Sequence, residues 1–395
     1  MVGGITQPLR PMLFLPLGPV SYTHLDVYKR QMRKHCTKLH HTGDVLEIVG
    51  TGGDEAYTFN ISTISALVVA SAGVPVAKHG NRSVSSQCGS ADVLEALGVK
   101  IDLSVEQSAR ILKEVGICFM FAQIYHASMK YAAPVRKELG VRTIFNILGP
   151  LANPAGANLQ LLGVYDENLV EPLARVLSNL GVKRAMVVHG HDGLDEVSLC
   201  SSTTVCEVYG NQCNSFFLDP RQFGFQHCQP EDLLGGDPQK NAEIAFRILE
   251  GEKGPKRDIV ILNAAVCLYM SFHHITLREC VKLAADLIDT GKALQKMCIR
   301  DSPSAGLAIF LVLYSAIENI PIPRDLAVTG ELSIRGGVRA VGGIPEKLYG
   351  ARQAGIQRVL IPLENEKDVP LGLKNIKVIP VQTVEEVLIN VFGQH

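Results

Sequence analysis

From Asp44 to Gly210, short apolar, β-rich runs alternate with stretches whose apolar positions recur at helical spacing. Val45–Val49, Pro75–Lys78, Cys118–Ala122, Leu159–Tyr165 and Arg184–His189 read as buried strands. Ile61–Ala72, Ala91–Leu97 and Leu169–Leu180 read as helices. Ser104 is placed to cap another helix that runs to Val115, with Glu106 in its first turn. This alternation predicts an α/β layer with a largely parallel sheet. After a β-rich patch at Thr203–Leu218 come three helical patterns, Asn241–Leu249, Asp258–Phe272 and Thr276–Thr290. A second, smaller alternation starts at Pro303: a helix to Ile317, strands near Leu326–Thr329 and Val359–Ile361, and a last helix from Val384. No segment repeats another.

Two segments, Val20–Gln31 and Lys296–Ser302, interrupt the pattern. VSYTHLDVYKRQ can be encoded by an inverted repeat whose second half contains AGATGTGTATAAGAGACAG. KMCIRDS can be encoded by the same string in another frame. The string resembles the transposon-end tag used to prepare DNA sequencing libraries. Two ordinary loops could share it through codon degeneracy, but agreement in two frames favours scars of read assembly. Both segments are therefore set aside from fold reasoning, as fusion scars are.

Composition narrows the class. At roughly 100–200 residues per domain, 395 residues predict two or three domains. Hydrophobic residues at 47% and charged residues at 19% exclude wholesale disorder. With 38 basic and 39 acidic residues, the net charge of −1 argues against gripping nucleic acid or an anionic membrane. Ten cysteines without a C-x-x-C pair suit thiols in a reducing cytoplasm. The apolar run Ala305–Leu313 is short of the about 20 residues that cross a bilayer. The first twenty residues are broken by Pro8, Pro11, Pro16 and Pro19, and no signal peptide is expected.

Three clusters carry chemistry. Val49-Gly50-Thr51-Gly52-Gly53-Asp54 follows a strand and precedes a helix, so its backbone can approach a phosphate. Thr58, Asn60, Ser62 and Thr63 follow it with hydroxyl and amide donors. Such a loop alone is often only a tight turn, and it matches neither the dinucleotide fingerprint nor the nucleoside triphosphate loop. Lys78-His79-Gly80-Asn81-Arg82-Ser83-Val84-Ser85-Ser86 gathers cations and hydroxyls suited to a polyphosphate. Asp195-Glu196 could hold Mg²⁺ while substrate phosphates and water complete the shell. Adjacent acids on a surface turn would be the bland alternative. His189 and His191 lack partners at zinc spacing.

GTGGD, TFNIST, KHGNRSVSS, VRKELGVRTIFNILGPLANP and DGLDE occur in that order. From about Met32 to Lys296 the chain thereby resembles the anthranilate phosphoribosyltransferases of tryptophan biosynthesis. A pyrimidine nucleoside phosphorylase of related fold fits less well, lacking RTIFN. The resemblance implies a type III nucleoside phosphorylase/phosphoribosyltransferase-like α/β domain over 32–295. It implies that Gly50, Gly53, Asp54, Thr58, Asn60, Thr63, the Lys78–Ser86 loop and Ser90 hold phosphoribosyl diphosphate. It further implies that Asn81, His126 and Arg136 line the anthranilate path, and that Ser62, Asp195 and Glu196 bind Mg²⁺. Most of the family's N-terminal helical region, which builds its dimer contact, is expected to be missing.

Pro303-Ser304-Ala305-Gly306, Thr329-Gly330-Glu331, Arg335-Gly336 and Glu346-Lys347 resemble the proteolytic domain of Lon protease, a hexameric family. This implies a partial α+β domain over 303–395 with a Ser304–Lys347 dyad and Thr329 hydrogen-bonded to the lysine. A helix-capping serine and a surface lysine would be the ordinary alternative. Without an ATPase module and the first half of the domain, peptidase turnover is not expected. The expected organisation is thus 1–19 unassigned, 20–31 and 296–302 as scars, and two partial enzymes of cytoplasmic families. The alternatives are a Ser–Lys peptidase fragment, or a misassembled reading frame with no activity as a whole.

Overall fold

The computed structural model describes residues 32, 34–83, 87–127, 138, 144–298, 306–333, 336–370, 372–373 and 376–393. Val84, Ser85, Ser86, Arg136 and Ser304 lie outside the described residues, as do the 20–31 segment and residues 299–302 of the Lys296–Ser302 segment. The chain divides into two compact units. One takes its described residues from Met1–Val93 and Ile101–Lys296, the other from Leu94–Lys100 and Met297–His395.

The first unit is built on a seven-stranded sheet. β1 (Leu46–Gly50), β2 (Val76–Gly80), β3 (Ile117–Phe121), β4 (Leu159–Gly163) and β5 (Arg184–Gly190) form its parallel part. The Thr203–Leu218 patch becomes an antiparallel hairpin, β6 (Thr203–Tyr209) and β7 (Gln212–Leu218), that extends the sheet beyond β5. The order is β3-β2-β1-β4-β5-β6-β7. The chain thus steps outward from β1 to β3, then returns to place β4 on the other side of β1. This reversal matters for function: open α/β sheets bind ligands where the strand order switches, beyond the carboxyl ends.

Helix burial follows composition. α1 (Ile61–Ser71) is apolar nearly all round and buries nine of its eleven residues, as a helix covered on every side should. α2 (Ser90–Ala96) follows β2. α3 (Val105–Val115) starts as the sequence predicts at Ser104, whose Oγ accepts the Gln107 N–H at 3.3 Å. Gln107 Oε1 returns the bond to the Ser104 N–H at 2.9 Å, completing a capping box. Gly116, at φ 84°, ends the helix in the left-handed region. α4 (Ala122–Tyr125) and α5 (Ile144–Leu151) are absent from the sequence reading; α5 carries Pro150 within it, an unlikely-looking helix by pattern alone. α6 (Val170–Asn179), α7 (Pro238–Leu249), α8 (Pro255–Ser271) and α9 (Leu277–Asp289) match expected helices. α7 and α8 begin three residues early because Pro238 and Pro255 each suit the first helical turn. α10 (Lys292–Cys298) corrects the expectation of a break at Lys296, since Lys296, Met297 and Cys298 continue the helix.

The second unit holds α11 (Gly306–Glu318), β8 (Leu326–Val328), β9 (Glu331–Leu332), β10 (Val338–Arg339), α12 (Ile344–Gln353), β11 (Arg358–Pro362), β12 (Lys377–Val381) and α13 (Val384–Phe392). β12, β11 and β8 form a parallel three-stranded sheet, and β9 with β10 an antiparallel ribbon. β12 is missing from the sequence reading. Pro380 disguises it, and is tolerated because β12 is an edge strand.

Candidate active site

At the switch point, Gly50 at the end of β1 pairs in register with Gly163 at the end of β4. Asp195, from the loop after β5, lies against both. A Cβ on Gly163 would stand 1.6 Å from the Asp195 carbonyl oxygen, and one on Gly50 2.3 Å from Asp195 Oδ2. Two glycines at neighbouring strand ends are what let an acid reach the centre of the crevice. Gly50 was expected from its motif. Gly163 was not, because its need appears only once the β1–β4 register is known.

The glycine loop then turns around the acid. Gly52 donates its N–H to Asp195 Oδ2 at 2.6 Å, and Thr51 donates its N–H to the Gly163 carbonyl at 3.0 Å. Gly52 and Gly53 take φ of 66° and 79°, a region open to glycine, while Glu55 and Tyr57 are held there at 58° and 52°. Thr58 bridges to Leu234, and the Asn60 amide donates to the Cys88 carbonyl at 3.2 Å while its Oδ1 accepts from Asn241 at 3.2 Å. Thr63 Oγ1 is buried with no hydrogen-bond partner among the described residues.

The electrostatics centre on a buried acid pair and a buried lysine. Burial raises Asp195 to about 7, helped by the adjacent Asp54 carboxyl, to which it is hydrogen-bonded. Burial raises Glu196 to about 8, with Asp195 adding to the effect; Lys78 and a bond from the Ser62 N–H oppose it. Lys78 lies in the middle of β2, buried, and donates to the Ile48 carbonyl at 2.8 Å and to Ser62 Oγ at 3.1 Å. Burial lowers its pKa, while Glu196, Glu47 and Asp195 act against that. Glu47 is buried and accepts the His79 N–H at 3.3 Å.

After β2 the chain closes on itself. Asp92 Oδ2 accepts the N–H groups of Ser83 and Gly89 at 3.0 and 2.9 Å, and Asp92 Oδ1 pairs with Arg82 at 3.1 Å. Gly89 is required there, since a Cβ would stand 2.4 Å from the Ser83 nitrogen. Gly80 likewise leaves room for Ser90, whose Oγ donates to the Asn81 carbonyl at 3.4 Å. Arg82 lies over the Phe121 ring at 5.6 Å, with Asn81 exposed beside it. His79 and His126 place their rings 5.0 Å apart. Burial, then His126, lowers His79 to about 3; burial also lowers His126, which bonds the Ala152 carbonyl at 3.1 Å. Both imidazoles are neutral near pH 7.

The residues present fit Mg²⁺. Asp195 and Glu196 offer hard carboxylate oxygens in a buried place that disfavours their charge despite Lys78 and nearby N–H donors, and Ser62 offers a hydroxyl nearby. Among the described residues no three His, Cys, Asp or Glu side chains form a metal cluster, so the remaining ligands would come from substrate and water. In the second unit, Lys347 Nζ donates to the Gly342 carbonyl at 2.7 Å. Thr329 is buried and donates its N–H to the Leu360 carbonyl at 3.0 Å. No helix among the described residues is long and apolar enough to cross a membrane.

Two family models match the chain. "Glycosyl transferase family, a/b domain" covers residues 42–294, and "Lon protease (S16) C-terminal proteolytic domain" covers 296–394. Over 262 residues the chain is 73% identical to an anthranilate phosphoribosyltransferase of Ruminiclostridium cellulolyticum, covering 66% of this chain and 77% of that protein. An Endomicrobium trichonymphae protein of the same name is 65% identical, covering 67% of this chain and 79% of its own. Among solved structures, the Thermus thermophilus enzyme superposes with TM-score 0.66 at 43% identity, covering 70% of this chain and 83% of its own. The Saccharomyces cerevisiae enzyme, in complex with PRPP and Mg, superposes with TM-score 0.65 at 29% identity, covering 70% and 78%.

Proposed function

The chain belongs to the glycosyl transferase family through residues 42–294, and on that premise we propose that it transfers the phosphoribosyl group of phosphoribosyl diphosphate to anthranilate. Diphosphate is released, and the reaction is a step of tryptophan biosynthesis. The observation that carries the proposal is Asp195 seated between Gly50 and Gly163 at the strand-order switch, beside Glu196 and Lys78. Phosphoribosyl diphosphate is assigned to Gly50, Gly53, Asp54, Thr58, Asn60, Thr63, the Lys78–Ser86 loop and Ser90. Asn81, His126 and Arg136 are assigned to anthranilate.

Held by Asp195, Glu196 and Ser62, Mg²⁺ would offset the negative charge that builds on the leaving diphosphate. The chain's own residues do the rest. The glycine loop wraps Asp195 through the Gly52 N–H, and Lys78 supplies a cationic side chain buried beside the acid pair. As the ribose C1–O bond breaks, the ribosyl group becomes oxocarbenium-like, and the anthranilate nitrogen forms the new bond at C1. An aromatic amine is already nucleophilic, so positioning supplies much of the rate. Neutral His79 and His126 suit this: they add no positive charge beside a cationic sugar. Anthranilate fluorescence tests the proposal. It should fall only with phosphoribosyl diphosphate and Mg²⁺ together; no fall at any enzyme concentration would reject it.

For residues 303–395 we infer a partial Lon-type domain without peptidase turnover, and for 20–31 and 296–302 scars of read assembly. The first family model ends at 294, just before the second segment, and the Lon model starts at 296 and includes it. An unbroken genomic read through codons 20–31 and 296–302 would overturn the scar reading. The cytoplasm is the compartment that both parent families imply.

A further inference from the structure

Outside the transferase site, two part-exposed cysteines meet. Cys200 lies on the loop between β5 and β6, and Cys228 on the segment between β7 and α7. Their sulfurs are 3.4 Å apart. The Cys228 N–H donates to the Leu199 carbonyl at 3.4 Å, so the two backbones are already joined one residue from the thiols. Ser202 Oγ donates to Asp219 Oδ2 at 3.2 Å, joining the same two segments again. On the Cys200 side the loop is tied to itself: Ser198 Oγ accepts the N–H groups of Cys200 and Ser201 at 2.9 and 3.1 Å and donates to Asp192 Oδ2 at 2.8 Å. A disulfide needs its sulfurs at about 2.05 Å, which asks for a small side-chain rotation and no rearrangement of these joined backbones.

We propose that Cys200 and Cys228 form an oxidisable dithiol site that reacts with hydroperoxides and closes to a disulfide. The order of attack follows from the hydrogen bond between the thiols. Either sulfur can donate in that bond, and burial raises both thiols above their ordinary value; with Cys200 as donor the bond raises Cys200 further and offsets part of the rise at Cys228, so Cys228 is the first of the two to ionise. The Cys228 thiolate attacks a peroxide oxygen, breaking the O–O bond; Cys228 becomes a sulfenic acid and hydrogen peroxide yields one water. The Cys200 sulfur then attacks the Cys228 sulfur, breaking S–O and releasing the second water. Two thiols lose two electrons and two protons, and one peroxide is reduced to two waters.

The site is insulated from the acid pair. Val197 is held on α8 by Asn263, whose Oδ1 accepts the Val197 N–H at 3.0 Å and whose Nδ2 donates to the Val197 carbonyl at 2.9 Å. Closing the dithiol should therefore leave Asp195 and Glu196 where they are.

The test uses the reduced full chain, hydrogen peroxide as the only oxidant, and peptide mapping after thiol blocking. The expected result is a linked Cys200–Cys228 peptide with the loss of two hydrogens from the intact mass. In Cys200→Ser, dimedone should trap at least roughly tenfold more sulfenic acid at Cys228 than in the wild type, because the resolving sulfur is gone. A wild-type chain that converts Cys228 to sulfinic acid without a linked peptide would overturn the proposal. So would a link that joins Cys206 to Cys213 in preference. The wild-type map needs neither a folded variant nor transferase turnover, so its failure is separate from failure of the transferase reading.

Discussion

Asp195 sits where a single added methyl group would collide with it from either of two strands, whereas Lys347 bonds the carbonyl of Gly342, where an added methyl group would meet no described residue within 4 Å. The same contrast runs through the helices. α1 and α11 are both apolar almost all round, yet α1 buries nine residues while α11 leaves Ile309, Val312, Leu313 and Ile317 exposed. α1 is covered by β1 and β2 of the sheet and by α8. α11 buries only Leu307 and Leu311. A reactive side chain is held for chemistry when the elements around it are complete. In the first unit they enclose the acid pair; in the second, Ile309, Val312, Leu313 and Ile317 of an apolar helix are exposed.

The sharpest way to break this comparison is a matched pair of glycine substitutions. Gly163→Ala should cost about 3–5 kcal/mol in urea unfolding, or else displace Asp195 and abolish transfer. Gly342→Ala, with no described residue within 4 Å of its added Cβ, should change stability by no more than about 0.5 kcal/mol. Equal effects at the two positions would remove the distinction between a packed and an open centre.

A smaller effect tests the neutral imidazole beside the site. His79 titrates near 6.5 when unfolded but only at about 3 when folded, so between those values the unfolded chain binds the extra proton. Its contribution is therefore complete above 6.5 and is lost as pH falls, by about 2 kcal/mol at pH 5. His79→Gln should flatten the fall in urea midpoint between pH 7 and pH 5; an unchanged slope would place the acid sensitivity elsewhere. The smallest effect is expected in the second unit. Ser304→Ala should leave both casein hydrolysis and anthranilate consumption at the wild-type level. Casein cleavage that this substitution abolishes would show a working Ser–Lys dyad.

Most of the first unit was legible because its strands are short apolar runs and its helices carry local signals, such as Ser104 and the prolines that open α7 and α8. The glycine loop and Asp195-Glu196 were legible as motifs. Their meeting was not, since it depends on the pairing of Gly50 with Gly163, residues that only the β1–β4 register makes neighbours. Asp92 and Asn241 escaped notice for the same reason: each holds a site loop through hydrogen bonds made in the fold. α5 and β12 were hidden by Pro150 and Pro380, which break local propensity where tertiary packing or an edge position accepts them.

On the proposed function, the acid pair at the switch point binds phosphoribosyl diphosphate and Mg²⁺. Titration calorimetry of phosphoribosyl diphosphate into the full chain with Mg²⁺ measures this without requiring turnover. Binding should be seen in the wild type and weaken at least roughly tenfold in the Asp195→Ala, Glu196→Ala double variant, as loss of a buried charge-assisted site demands. Equal affinity in the two proteins, with and without Mg²⁺, would contradict the account.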